Sequence, residues 1–298
     1  MDWEKKGKEL YDTLVKPYTN VSRELEFIKQ LNLTTPSGKK IKFTEYQEEF
    51  LFHIHEGKNV VVYKTRQSGY TTMMLLHILY ILHEEYCRNG HNCKSNVLYV
   101  TTNAAMKEDV KRRLMEIIQN NTLSYSSGFA IELRKHITFT TYSRIDALCG
   151  KCFDYAFYDE FAFAEPSLFL DFFECAYAGM AACRTPENHC PPTGKSVMVT
   201  SLNEENEEKI MRTIRELGEN LGSFEYMNTH WYEVPTMNQN LVWKKYEVEP
   251  TIDEEGNVRY DKERWEKRLK DGWIPTSPKY EKLCEILGED KAKTELLN

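Results

Sequence analysis

The sequence predicts an α/β fold built on a mostly parallel sheet flanked by helices. Short β-rich runs alternate with longer segments of helical periodicity from residue 43 to residue 231, the pattern that strand–helix–strand units leave in a sequence. One of these runs, Tyr155–Tyr158, is apolar throughout, reads as a buried strand, and ends in Asp159-Glu160. Hydrophobic residues make up 41% of the 298 positions, enough for a substantial core.

The elements follow in order. Residues 1–40 read as a helical extension whose Leu25, Phe27, Ile28 and Leu31 dock on the rest of the chain. Phe43–Ile54 carries apolar residues at helical spacing. Asn59–Tyr63 is a strand, Lys64–Thr72 a tight loop, and Met73–Leu82 an apolar helix. Asn96–Thr102 is a second strand and Ala104–Gln119 a helix with a basic face. Ile131–Leu133 and Ile137–Thr141 look like a hairpin. Tyr155–Tyr158 and Ser196–Thr200 are strands, separated by a Pro-rich loop at 184–195. Glu204–Leu221 is a helix and Phe224–Trp231 a last strand of a core spanning 41–234. The segment 235–298 differs in its charge and Trp content and reads as a small lid or linker subdomain, with a hairpin near Asp253–Gly256 and helices at 261–271 and 276–288.

Bulk properties exclude several classes. No apolar run approaches the ~18–20 residues that span a bilayer, and the charged N-terminus lacks the apolar segment of a signal peptide. A soluble intracellular protein without membrane contact is expected. The eight cysteines are scattered, which suits free thiols better than a disulfide framework; Cys149-x-x-Cys152 lacks the second close pair that a zinc site wants. The net charge of −7 argues against a static, nonspecific nucleic-acid coat. Any nucleic-acid contact must use a local patch or be repeatedly broken.

The loop carries the first chemical signal. A phosphate loop needs backbone N–H groups aimed at the anion, a helix N-terminus behind them, a lysine for the β/γ oxygens and a hydroxyl for Mg²⁺. The common pattern is Gly-x-x-x-x-Gly-Lys-Ser/Thr. Here Gly69 and Thr71 are retained, the first glycine is missing, and Tyr70 stands where the lysine belongs. The charge is displaced: Lys64 opens the loop directly after the strand, and Arg66 is a second cation. The amides of Gln67, Ser68, Gly69, Tyr70, Thr71 and Thr72 complete the cradle. Taken alone, this loop reads better as an ordinary βα turn with two solvated cations.

The acidic pair is the second signal. Phosphoryl transfer to water needs a carboxylate that anchors metal and another that orients the attacking water. A strand ending in Asp159-Glu160 supplies both, about 90 residues after the loop glycine. Thr71 and Asp159 are the expected Mg²⁺ ligands, Glu160 and Asp159 the catalytic carboxylates, and Arg66 a catalytic cation. Gln47 precedes the first strand, where an adenine-reading glutamine would sit, and either Tyr46 or Phe43 is placed to stack on the base. Thr200 and Ser201 end the following strand, where polar groups can sense the γ-phosphate.

In this order, Tyr46-Gln47, Arg66–Thr72, Ser143–Ala147, Gly150, Asp159–Phe163 and Thr200–Asn203 resemble the ATPase half of the large terminase subunit, the DNA-packaging motor of tailed bacteriophages. The resemblance covers about residues 40–232. It implies a P-loop nucleotide-hydrolase fold of the ASCE type that hydrolyses ATP with Mg²⁺. It further implies a homo-oligomeric ring that drives double-stranded DNA into a procapsid, with a portal protein and a small terminase subunit as partners. That work is done in the host cytoplasm at the portal vertex. Lys64 matches a variant loop in which the lysine sits at the start. Departures are Tyr70 for lysine, Cys149 for an arginine before Gly150, and Leu202 for a proline. The nuclease domain that such subunits carry is absent from these residues, so an isolated ATPase domain of a longer protein is expected.

Other readings remain open at this point. A helicase-type translocase would share the loop and the acidic pair. A nonenzymatic DNA-binding scaffold with a decayed loop would explain Tyr70. Lys107, Lys111, Arg112 and Arg113 form either a solvated face or a DNA contact. Arg112, Arg113, Arg134 and Arg144 are the candidates for an arginine supplied to a neighbouring subunit. The tryptophans are expected in packing rather than in a base-stacking ladder.

Overall fold

The computed structural model describes residues 16–31, 33, 40, 43–121, 127–182, 195–201, 212, 224–235, 237–245, 248–252 and 267–288. Their elements are α1 (Lys16–Gln30), α2 (Glu45–His55), β1 (Asn59–Lys64), α3 (Tyr70–Asn89), β2 (Val97–Thr101), α4 (Ala104–Asn120), α5 (Ser127–His136), β3 (Ile137–Thr141), β4 (Tyr155–Asp159), α6 (Pro166–Ala182), β5 (Lys195–Ser201), β6 (Phe224–Thr229), β7 (Val242–Lys245), β8 (Val248–Ile252), β9 (Trp273–Thr276) and α7 (Pro278–Leu287).

Six strands form one sheet in the order β3-β2-β4-β5-β1-β6. β2 pairs in parallel with β3 and β4, and β4 pairs in parallel with β5. The predicted fold class therefore holds. One strand, β5, separates the loop-bearing β1 from the acidic β4, which is the arrangement of the ASCE group. Val60–Val62, Val97–Val100, Ala156–Tyr158 and Val197–Val199 are all completely buried, which explains why these strands read as continuous apolar runs.

The chain divides into two compact units. The first comprises Met1–Val62, Gly69–Thr200 and Glu205–Met227; the second comprises Tyr63–Ser68, Ser201–Glu204 and Asn228–Asn298. In the first, α1 docks through Leu25, Phe27, Ile28 and Leu31, all buried, as their spacing suggested. In the second, β7 pairs antiparallel with β8 and with β9. Trp231 stacks on Tyr280 with ring centroids 4.5 Å apart. Trp231 and Trp243 are both buried, so these tryptophans serve packing.

Several expectations need correction or restriction. The hairpin proposed over Ile131–Thr141 does not form: residues 127–136 are helical, and only Ile137–Thr141 is a strand, pairing in parallel with β2. Phe129 and Leu133, one helical turn apart, are buried, and no Gly or Pro lies between 133 and 137 to turn a hairpin. Helix α6 was not anticipated, although Pro166 at its start and the Glu165 carboxylate accepting from the Ser167 and Leu168 amides are helix-start signals. In the second unit, Trp273–Thr276 is a strand, and the following helix begins at Pro278. The expectation of free thiols fails at Cys152, which is disulfide-bonded. Cys149 is exposed and free, so the Cys-x-x-Cys pair is not a zinc ligand set. The helix expected at Glu204–Leu221 and the hairpin at Asp253–Gly256 fall almost wholly outside the described residues.

Candidate nucleotide site

In the first unit the site grows from the end of β4. Asp159 is the last residue of that strand and is 1% exposed. The Thr71 hydroxyl, in the first turn of α3, donates to its carboxylate at 3.0 Å to Oδ2 and 3.3 Å to Oδ1. The fold thus brings together the two residues that the sequence nominated as metal ligands, which are 88 positions apart. Their oxygens are the hard donors that Mg²⁺ prefers, so these residues fit that ion.

Asp159 is supported by residues that the sequence reading missed. The Tyr99 hydroxyl, from β2, donates to Oδ2 at 2.9 Å, and the Tyr142 hydroxyl donates to the Asp159 carbonyl at 3.3 Å. Burial first, and the Asp159 charge second, push both tyrosine pKa values up, so both phenols stay protonated and donate. Such outer hydrogen bonds fix the direction of a metal-binding carboxylate. The signal available in the sequence was a tyrosine inside an otherwise aliphatic strand.

Glu160 follows with φ 53° and ψ 44°, a left-handed conformation. Its amide donates to the Val199 carbonyl at 2.7 Å, which holds the turn against β5. Among the described residues, positive φ outside glycine occurs at Gln67, Glu160 and Asn240. Two of these three belong to the loop and the acidic pair. A non-glycine residue held in this region costs about 1–2 kcal/mol, and such strain collects at functional positions. The turn also lifts Glu160 out of the buried strand to a partly exposed position. Thr200, at the end of β5, accepts from the Ala162 amide through Oγ1 at 3.2 Å. The expected γ-phosphate sensor is therefore bonded to the segment that immediately follows the expected catalytic glutamate.

Gly69 caps α3 with φ 86°. A Cβ placed there would lie 2.7 Å from Gln47 Nε2. The fold thus packs the nominated adenine-reading glutamine against the loop glycine. The Gln47 Oε1 atom accepts from the Thr44 amide, which caps the start of α2. Gly69→Ala should destabilise the protein by roughly 1–2 kcal/mol through the left-handed backbone alone, and should also displace Gln47. Urea unfolding with and without nucleotide checks this; an unchanged midpoint and unchanged binding would contradict the role given to Gly69.

Tyr70 explains the missing lysine. It is fully buried, with its ring 5.1 Å from Phe50 and 5.7 Å from Tyr46. Its position in the loop is used for packing, and a lysine there would bring an ammonium into an aromatic cluster. Tyr46 is engaged in the same cluster and is 3% exposed.

In the second unit, Lys64 ends β1 with 6% exposure, and its Nζ donates to Ser201 Oγ at 3.0 Å. The lysine and the serine that the sequence nominated for phosphate binding and coupling are thus direct hydrogen-bond partners. The Thr65 amide donates to the Thr229 carbonyl at 3.0 Å, which anchors the loop entrance. Arg66 and Gln67 are exposed, and Ser68 is buried. Lys279 Nζ lies 3.4 Å from Gln67 Oε1.

The basic residues of α4 pair locally. Lys111 reaches Glu108, Arg112 reaches Asp109 and Glu116, and Arg113 reaches Asp109, all at the surface. Arg144 is held in two hydrogen bonds by Asp146. A cavity of about 530 Å³ lies beside β3 at the sheet edge, lined by Lys111, Arg134, Lys135 and Lys151 together with Phe139.

A parallel sheet with a glycine loop at one strand end and an acidic pair at another defines the P-loop class of nucleotide-binding folds. No family model matches the sequence, and no curated protein matches it. Among solved structures the chain is similar to the large terminase ATPase domain of a Thermus phage, at 14% identity and TM-score 0.46, over 91% of this chain and 96% of that one. It is similar to the large terminase of bacteriophage HK97 at 11% identity and TM-score 0.47, over 72% of this chain and 47% of that one. A third similar structure is the UvsW helicase of bacteriophage T4, at 11% identity and TM-score 0.43, over 69% of this chain and 66% of that one. The chain thus spans about half of the HK97 protein and 66% of the helicase. At these identities and TM-scores the likenesses say nothing of activity. Among the described residues no helix is long and apolar enough to cross a membrane.

Proposed function

We propose that this chain is the ATP-hydrolysing motor domain of a viral terminase, which moves double-stranded DNA into a procapsid. The observation that carries the hydrolase reading is the end of β4: Asp159 bonded to Thr71, followed by Glu160 in a left-handed turn. Lys64, Arg66 and the amides of residues 67–72 hold the phosphates, Gln47 reads the base, and Thr71 and Asp159 hold Mg²⁺. That ion, when bound, neutralises charge on the phosphate oxygens. The Glu160 carboxylate accepts a hydrogen bond from the attacking water and orients it in line. Thr200 and Ser201 respond to loss of the γ-phosphate, Thr200 through the Ala162 amide and Ser201 through Lys64.

One feature supports a nucleic-acid partner: in a chain of net charge −7, the groove beside β3 gathers Lys111, Arg134, Lys135 and Lys151. Double-stranded DNA, a homo-oligomeric ring, the portal protein and the small terminase subunit are the partners of this reading, at the portal vertex in the host cytoplasm. ATP turnover measured with and without double-stranded DNA should rise with DNA, and the rise should fade with salt. Turnover that ignores double-stranded DNA but responds to single strands would favour a helicase-like translocase instead. No turnover at any protein concentration would favour the nonenzymatic scaffold.

A further inference from the structure

The first unit holds a second cluster of titratable side chains, which the nucleotide reading does not use. Glu24 on α1 is completely buried. His55, the last residue of α2, places Nε2 2.7 Å from Glu24 Oε2, and His77, inside α3, places Nδ1 2.9 Å from the same oxygen. One donor atom from each residue lies within 4.8 Å of the other two. We propose that Glu24, His55 and His77 bind a transition-metal ion of the Zn²⁺ class, which staples α1 to α2 and α3.

The donor set points to this ion class. Two imidazoles and one carboxylate are three of the ligands that zinc commonly takes, whereas Mg²⁺ and Ca²⁺ want oxygen shells. The three residues come from three helices and are far apart in sequence, so only the tertiary fold assembles them.

The surroundings of His77 support the same reading. Its Nε2 is buried and has no hydrogen-bond partner. Its ring stands edge-on to Phe157 at 6.1 Å and to Tyr155 at 6.3 Å. The tautomer of His77 with its proton on Nε2 presents the Nδ1 lone pair to the carboxylate, which is the form a metal ligand uses. The His77 Nδ1 and Glu24 Oε2 atoms, 2.9 Å apart, share one cation, either a proton or a bound metal ion.

A carboxylate and a neutral imidazole are the ligating forms of these side chains. Ligand atoms on a tetrahedral zinc stand roughly 3.3 Å apart, against 2.7 and 2.9 Å from Glu24 Oε2 to the two imidazole nitrogens, so both contacts have to lengthen by about half an ångström.

The test uses the full chain, treated with EDTA and then titrated with Co²⁺, whose visible absorption reports tetrahedral nitrogen and oxygen ligation. About one equivalent should bind per chain and be displaced by Zn²⁺. Zn²⁺, and not Mg²⁺, should raise the Tm of the EDTA-treated protein by several degrees. Both effects should vanish in His77→Ala and in the milder His55→Gln, with circular dichroism confirming that each variant folds. If His77→Ala does not fold, His55→Gln decides. A wild type without the cobalt band and without a zinc-dependent Tm overturns the proposal and leaves the cluster held by protons. Equal metal uptake by wild type and His55→Gln also overturns it, because the ion then sits elsewhere.

Discussion

Glu160→Gln is expected to abolish ATP turnover while leaving nucleotide binding intact. Removing a residue that positions a proton acceptor costs typically 10²–10⁴-fold in rate. Glutamine is nearly isosteric and can adopt the same left-handed turn, so the hydrogen bond from the residue 160 amide to Val199 should survive. The effect should therefore appear in kcat and not in affinity for a fluorescent ATP analogue. A companion variant examines the backbone itself. Glu160→Gly relieves the positive φ of 53° and should be at least as stable as the wild type, yet inactive. Turnover near the wild-type rate in Glu160→Gln would remove the hydrolytic role, and a marked loss of stability in Glu160→Gly would remove the strain argument.

Lys64→Ala should weaken nucleotide binding by on the order of 10–100-fold, the range for losing a hydrogen bond from a charged group. The ammonium is buried and bonded to Ser201, so it is already directed and gives up little freedom on meeting a phosphate. Lys64→Met keeps the stem and removes the charge. If both variants lose affinity to the same extent while their thermal unfolding differs, charge rather than packing is responsible. Unchanged affinity in both would sink the displaced-lysine reading and leave Arg66 as the phosphate cation. Ser201→Ala separates binding from coupling, because it should preserve affinity and reduce DNA-stimulated turnover.

Much of the sheet was legible because its strands are buried on both faces. Val60–Val62 and Ala156–Tyr158 are continuous apolar runs for that reason, and their ends coincide with polar residues that carry the proposed chemistry. The misread segments failed for different reasons. Residues 127–136 are short, and in so short a window apolar residues fit both periods; burial of Phe129 and Leu133 on one helical face decides for the helix. Helix α6 was obscured by its strongly apolar composition, which hides the period. Trp273–Thr276 is a strand through pairing with Val242–Lys245, a long-range contact that no local pattern announces.

The sequence by itself determined the order of the parts: Gln47, the Lys64–Thr72 loop, the Asp159-Glu160 pair, then Thr200-Ser201. It also showed that the loop lacks its usual lysine. It could not say why, nor which groups meet, because both depend on contacts between residues far apart in the chain. Tertiary structure placed Tyr70 in an aromatic cluster with Phe50, aimed Lys64 at Ser201, and set Tyr99 behind Asp159. It alone turned Glu160 left-handed, since that conformation is held by the Val199 carbonyl from a neighbouring strand. And it alone drew Glu24, His55 and His77 together, because burial of one carboxylate demands partners that only the packing of three helices could supply.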